Sequence, residues 1–111
     1  MSSDTPIQAA TPKEIHTRLQ SGEDLLLVDV REAEEIAIAA LPGALVCPMS
    51  QAADWIDRLP KDRALVIFCH HGIRSLRVAT ALAERGHQNL TNMTGGIDLW
   101  SAQVDAGVPR Y

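Results

Sequence analysis

Apolar positions along this chain fall into two patterns: short unbroken blocks, and longer segments where they recur every three or four residues. The clearest block is "ALVIF", Ala64 to Phe68, β-branched or aromatic at three of five positions and so predicted to be a strand. "LLLVDV", Leu25 to Val30, has the look of a strand buried on both faces. "ALVC", Ala44 to Cys47, and "NLTNM", Asn89 to Met93, are weaker strand candidates. The helical pattern is strongest from Ser75 to Arg85, closed by Gly86. "TPKEIHTRLQSG" predicts another helix: Thr11 caps it, Pro12 suits its first position, Glu14 completes a capping box and Gly22 ends it. "EAEEIAIAA" is a good helix former, punctuated by Pro42–Gly43. Ser50 is placed to cap a helix running to about Leu59, and "GGIDLWSAQV" predicts a glycine turn and a final helix. Residues 1–10 show no periodicity and are expected to form a flexible N-terminal arm, leaving 11–111 as a single domain.

Strands and helices therefore alternate about four times. Alternation of this kind implies right-handed βαβ crossovers, hence an α/β fold with a mainly parallel central sheet and helices on both faces. Ligands in such folds bind beyond the carboxyl ends of the strands. Cys69 stands just past that end of "ALVIF", and Asp29 stands near the equivalent end of "LLLVDV". Both are expected on one rim, and the rim is the candidate site.

The loop "CHHGIRS", Cys69 to Ser75, joins the clearest strand to the clearest helix. A helix N-terminus gathers backbone N–H groups with no intrahelical partner, and the helix dipole adds positive charge. If the loop curls round its first residue, the anion it holds is the Cys69 sulfur. Free cysteine titrates near ~8.5, but in such settings values of roughly 3.5 to 7.5 occur. Gly72 suits a tight curl because it tolerates positive φ. Arg74 offers a permanent charge and a fork of donors, and His70 and His71 offer further donors. The competing reading is a small buried hydrophobe, common for cysteine, but here the apolar strand has ended and polar residues follow at once.

Composition narrows the field. The chain has 111 residues, 46% hydrophobic and 22% charged, with a formal net charge of -4. That size supports a core without staples. The acidic balance gives no reason to expect nucleic acid or an anionic membrane as partner. No apolar run is longer than Ile36 to Leu41, far short of the ~20 residues of a membrane span. The start "MSSDTPIQAA" lacks the basic and apolar regions of a signal peptide, so a cytoplasmic protein is expected, with Cys47 and Cys69 reduced.

Four motifs now stand in order: "DVREAEE" (Asp29 to Glu35), "LPGA" (Leu41 to Ala44), "CHHGIRS" and "TGGIDLW" (Thr94 to Trp100), with "GVP" near the end. Together they resemble a single-domain rhodanese-like protein from about Thr11 to Pro109. The resemblance implies about five strands and a thiosulfate sulfurtransferase that needs no cofactor or metal. Cys69 would be the nucleophile, carrying a sulfane sulfur as a persulfide. The active-site loop would be His70, His71, Gly72, Ile73, Arg74 and Ser75, with Arg74 guiding the donor's sulfonate oxygens and the histidines shaping the entrance. Thiosulfate or a persulfide would be the donor, and cyanide or a thiol the acceptor; a protein donor or acceptor is a further option. One departure is plain: Ala39 and Ala40 stand where the family usually carries Gly-His.

Three rival readings are weaker. Cysteine phosphatases and arsenate reductases place five residues between nucleophile and arginine, whereas only four separate Cys69 from Arg74. The missing residue removes up to ~3.5 Å of contour and tightens the ring around a single sulfur. A non-catalytic protein-binding module of this fold often lacks the loop cysteine. A metal site is disfavoured because Cys69, His70 and His71 are consecutive and converge poorly. Elsewhere, Asp29 and Arg31 are expected to pair and brace the rim. Cys47 reads as a strand-end core residue, with a resolving thiol as the alternative. His16 and His87 read as surface residues, Trp55 and Trp100 as helix-to-sheet packing, and Glu32, Glu34 and Glu35 as a solvated helix face.

Overall fold

The computed structural model describes residues 7–111. Five strands form one all-parallel sheet: β1 (Ile7–Ala10), β2 (Leu25–Asp29), β3 (Leu45–Val46), β4 (Ala64–Phe68) and β5 (Leu90–Met93), in the order β1-β5-β4-β2-β3. The five helices are α1 (Pro12–Gln20), α2 (Ala33–Ile38), α3 (Ala52–Trp55), α4 (Ile73–Glu84) and α5 (Gly96–Gln103). The α/β fold with a parallel sheet is the one expected from the alternating pattern.

β4 shows why an unbroken apolar run becomes a central strand. Its side chains alternate between faces. Leu65 and Ile67 join the core beneath α4, with Val78, Ala79 and Leu82. Val66 and Phe68 join the opposite core, with Ile15, Ile97 and Trp100. A strand buried on both faces has no solvent side to carry polar residues.

The register sets the rim. Asp29 pairs with Phe68 across β2 and β4, so Cys69 follows one residue beyond the Asp29 level. The α1 capping box forms as expected: the Glu14 amide donates to Thr11 Oγ1 at 3.2 Å and the Thr11 amide donates to Glu14 Oε1 at 2.8 Å.

Four expectations need correction. Ile7–Ala10, placed in the arm, form the edge strand β1, in parallel register with Leu90–Met93; four residues at an edge need little periodicity of their own. Residues 1–6 lie outside the described part. Ser50 caps no long helix. It sits in a 3₁₀ turn (Met49–Gln51) before the single-turn α3, and its hydroxyl and amide donate to the Glu32 carboxylate at 2.5 and 3.1 Å. α4 begins at Ile73, two residues before Ser75, because Gly72 adopts the left-handed conformation that opens it. His87 is buried, at 3% exposure: the left-handed Gly86 turns the chain so that the His87 amide donates to the Leu82 carbonyl at 3.1 Å. His16, by contrast, is half-buried with its ring edge-on to Trp100.

Candidate active site

Between β4 and α4 the chain makes one tight curl, from Cys69 to Gly72. Gly72 takes φ +107°, and its amide donates to Cys69 Sγ at 3.1 Å. The Ser75 amide donates to the same sulfur at 3.4 Å, and the Ser75 hydroxyl lies 3.4 Å away. These amides belong to a helix start, where no intrahelical carbonyl competes for them.

The loop's carbonyls are held elsewhere. Cys69 O accepts from the Ile97 amide at 2.9 Å, and His70 O accepts from the Asp98 amide at 3.1 Å. Both donors open α5. Gly72 O accepts from Asn92 Nδ2 at 3.2 Å. With its oxygens fixed outward, the loop presents its N–H groups inward to the sulfur. The glycine pair before α5 makes this possible: Gly95 and Gly96 have φ +78° and +58°, and a Cβ on Gly96 would run into the Cys69 and His70 carbonyls.

Cys69 is buried, at 1% exposure. Burial by itself pushes the thiol up, yet hydrogen bonding from Ser75 and from the Gly72 and His71 amides outweighs it, and the thiol sits below its ordinary value. The Ser75 hydroxyl has one proton to give. It donates to Asn92 Oδ1 at 2.6 Å while accepting from the protonated thiol, and must rotate to serve the thiolate. The backbone amides are therefore the constant part of the cradle. Cys47 is the contrast: burial, with Asp29 nearby, pushes its thiol up to about 11, and it is a core residue. A thiol so raised is a poor resolving partner. Both cysteines are free.

Cys69, His70, His71, Ile73 and Arg74 line a pocket of about 270 Å³. Arg74 does not point a free fork into it. Its Nη1 and Nη2 both donate to Glu35, at 2.7 Å each. Glu35 also accepts from the Tyr111 hydroxyl at 2.9 Å and from the Glu32 amide at 3.1 Å. The Arg74 guanidinium holds the Glu35 carboxyl down to about 2, against the upward pull of burial. The expected solvated acidic face is thus corrected: Glu35 is built into the site and Glu32 is bonded to Ser50. Tyr111 stacks on His70, rings parallel within 4° at 3.9 Å.

Asp29 and Arg31 form a buried ion pair, Nη2 to Oδ2 at 2.7 Å, with both side chains at 2% exposure or less. Arg31 also donates to the Ala39 carbonyl at 2.7 Å and the Tyr111 hydroxyl at 3.0 Å. At the departure from the family's Gly-His, Ala39 packs its methyl into the core while its backbone serves Arg31. His70, His71 and Asp98 converge more than adjacency suggests, with donor atoms within 4.8 Å of one another. Both Asp98 oxygens are already bonded by Arg110, at 2.9 and 3.1 Å.

Residues 11–103 match the family model described as Rhodanese-like domain. A protein of Allochromatium vinosum named sulfurtransferase is 40% identical over 84 residues, covering 76% of this chain and 78% of that protein. The Arabidopsis thaliana chloroplastic rhodanese-like/PpiC domain-containing protein 12 is 34% identical over 113 residues. That match covers 96% of this chain but only 38% of the plant protein's length. Among solved structures, a rhodanese-like domain protein from Staphylococcus aureus aligns with TM-score 0.80 at 29% identity, covering 94% of this chain and 98% of that one.

Proposed function

The chain belongs to the rhodanese-like domain family, and on that footing we propose that it is a sulfurtransferase working through a Cys69 persulfide. The observation that carries this reading is the sulfur itself, which accepts from the Gly72 and Ser75 amides at 3.1 and 3.4 Å. Amides fixed in advance around an anion stabilise it without reorganising during reaction.

The transfer divides into two displacements. In the first, the Cys69 thiolate attacks the outer sulfur of the donor. A sulfur–sulfur bond forms at Sγ and the donor's own bond to that sulfur breaks. Its electron pair leaves with the remainder: sulfite from thiosulfate, a thiolate from an organic persulfide. In the second, an acceptor nucleophile attacks the outer sulfur of the Cys69 persulfide and the thiolate is restored. Cyanide becomes thiocyanate in this step, and a thiol becomes a new persulfide. Both steps need Cys69 reduced, which suits a reducing compartment such as the cytoplasm. Asp29 and Arg31 take no part in bond making; they hold the rim. His70 and His71 form the entrance.

The test is mass spectrometry of the intact protein after exposure to a sulfane donor. The wild type is expected to gain one sulfur atom and Cys69→Ser none. If neither thiosulfate nor an organic persulfide adds sulfur to the wild type, the sulfurtransferase reading fails and a non-catalytic binding module takes its place.

A further inference from the structure

Thiosulfate carries two negative charges and no carbon. A free cation beside the nucleophile would hold such a dianion more tightly than uncharged amides alone. Among the described residues Arg74 is the one permanent cation in the pocket lining, and its two terminal nitrogens are engaged by Glu35 at 2.7 Å each. Glu35 is itself pinned by the Glu32 amide and the Tyr111 hydroxyl, so it cannot swing away without breaking three partnerships. Two other arginines are also paired, Arg31 with Asp29 and Arg110 with Asp98, while Arg77 lies exposed one turn along α4 from Ile73. The lining also includes an apolar contact surface, since Ile73 faces solvent with 70% of its area at the first position of α4. Inorganic thiosulfate has nothing to place against it.

We propose that Glu35 is a specificity-determining residue: by occupying the Arg74 fork it turns the site away from the thiosulfate dianion and toward organic persulfides, R–S–SH. This rests on the sulfurtransferase reading above. In the favoured reaction the Cys69 thiolate bonds to the terminal sulfur of R–S–SH. The R–S to sulfur bond breaks, R–S⁻ leaves with the pair, and the proton stays on the new Cys69 persulfide. No oxidant or reductant is consumed. Ile73 receives the carbon portion of R, while the thiolate is stabilised by uncharged amides that do not depend on Arg74.

The experiment measures steady-state sulfur transfer to a thiol acceptor from three donors: thiosulfate, cysteine persulfide and a short peptide bearing a persulfidated cysteine. For the wild type, kcat/KM with at least one organic persulfide is expected to exceed that with thiosulfate by about tenfold or more, the scale of one charge-assisted hydrogen bond. The ratio between the two persulfides then says whether the donor is small or peptide-borne. Glu35→Gln is expected to lower KM for thiosulfate about tenfold and so to shift the ratio of kcat/KM between thiosulfate and persulfide about tenfold toward thiosulfate. Adding Arg74→Gln to that variant is expected to cancel the gain. Glu35→Asp keeps the charge and is expected to keep the wild-type preference. A purely structural Glu35 would make every donor worse, not one donor better. Wild-type parity between donors, or a higher thiosulfate KM in Glu35→Gln, overturns the proposal while leaving sulfur transfer intact. Failure of every donor to load Cys69 instead overturns the sulfurtransferase reading.

Discussion

The Ile97 amide donates to the Cys69 carbonyl at 2.9 Å, so the first turn of the last helix fixes the backbone of the loop cysteine. The contact requires α5 to start hard against the loop, which Gly96 permits with φ +58° and no side chain. Gly96→Ala is expected to cost about 2 kcal/mol or more through strain in the left-handed region and collision with the loop carbonyls. Urea denaturation measures the loss. Sulfur transfer in protein that remains folded is expected to fall at least about tenfold, because the loop amides lose their aim.

Cys69 is held below the ordinary thiol value by Ser75 and the loop amides, against burial. Only the thiolate is alkylated, so the iodoacetamide rate rises with pH and levels off above the Cys69 pKa. The midpoint is expected below the ~8.5 of free cysteine, and Ser75→Ala is expected to move it upward. A wild-type midpoint at or above that of free cysteine would show that the loop does not stabilise the thiolate.

Glu35 carries the clearest acid linkage. Its carboxyl falls from an ordinary 4.5 to about 2 in the folded protein, chiefly through Arg74. A group depressed on folding contributes stability above its unfolded pKa and loses it as pH falls through the folded one. Stability is therefore expected to decline between pH 4.5 and about 2. The Glu35 share is at most about 3 kcal/mol. Chemical denaturation of Glu35→Gln across that window is expected to show a shallower decline.

Asp29→Asn leaves the Arg31 guanidinium, at 0% exposure, without its counter-charge. Breaking one side of a buried pair costs about 3–5 kcal/mol. Replacing both partners together, Asp29→Leu with Arg31→Met, is expected to cost less than Asp29→Asn alone. Thermal unfolding of the three proteins distinguishes the cases.

What could be read from the sequence depended on the range of the forces involved. β4 was legible because its burial on both faces leaves an unbroken apolar block, and α1 because its capping box is local. The Gly72 and Ser75 amides were inferable from one strand-to-helix junction. Glu35 was misread because its partner lies 39 residues away on α4, and charge alone looks solvated on a helix. Asn92 gave no signal: it sits inside a strand pattern, and its value lies in reaching Gly72 O and Ser75 Oγ across the sheet rim. Tyr111 is 80 residues from Arg31, and no periodicity announces such a contact. His87 failed for the opposite reason, since a polar residue after a glycine turn usually faces water.

Arg31 reaches four separate stretches of chain: Asp29 at the end of β2, Glu35 within α2, Ala39 after it, and Tyr111 near the other extremity of the sequence. A single planar group with that many dependents makes independent fraying of those stretches costly, because releasing one strands donors meant for the others. The amides of α2 and the Val108 amide, which donates to the Asp105 carbonyl, should therefore become exchangeable in a single opening event, so that hydrogen exchange reports one free energy for both.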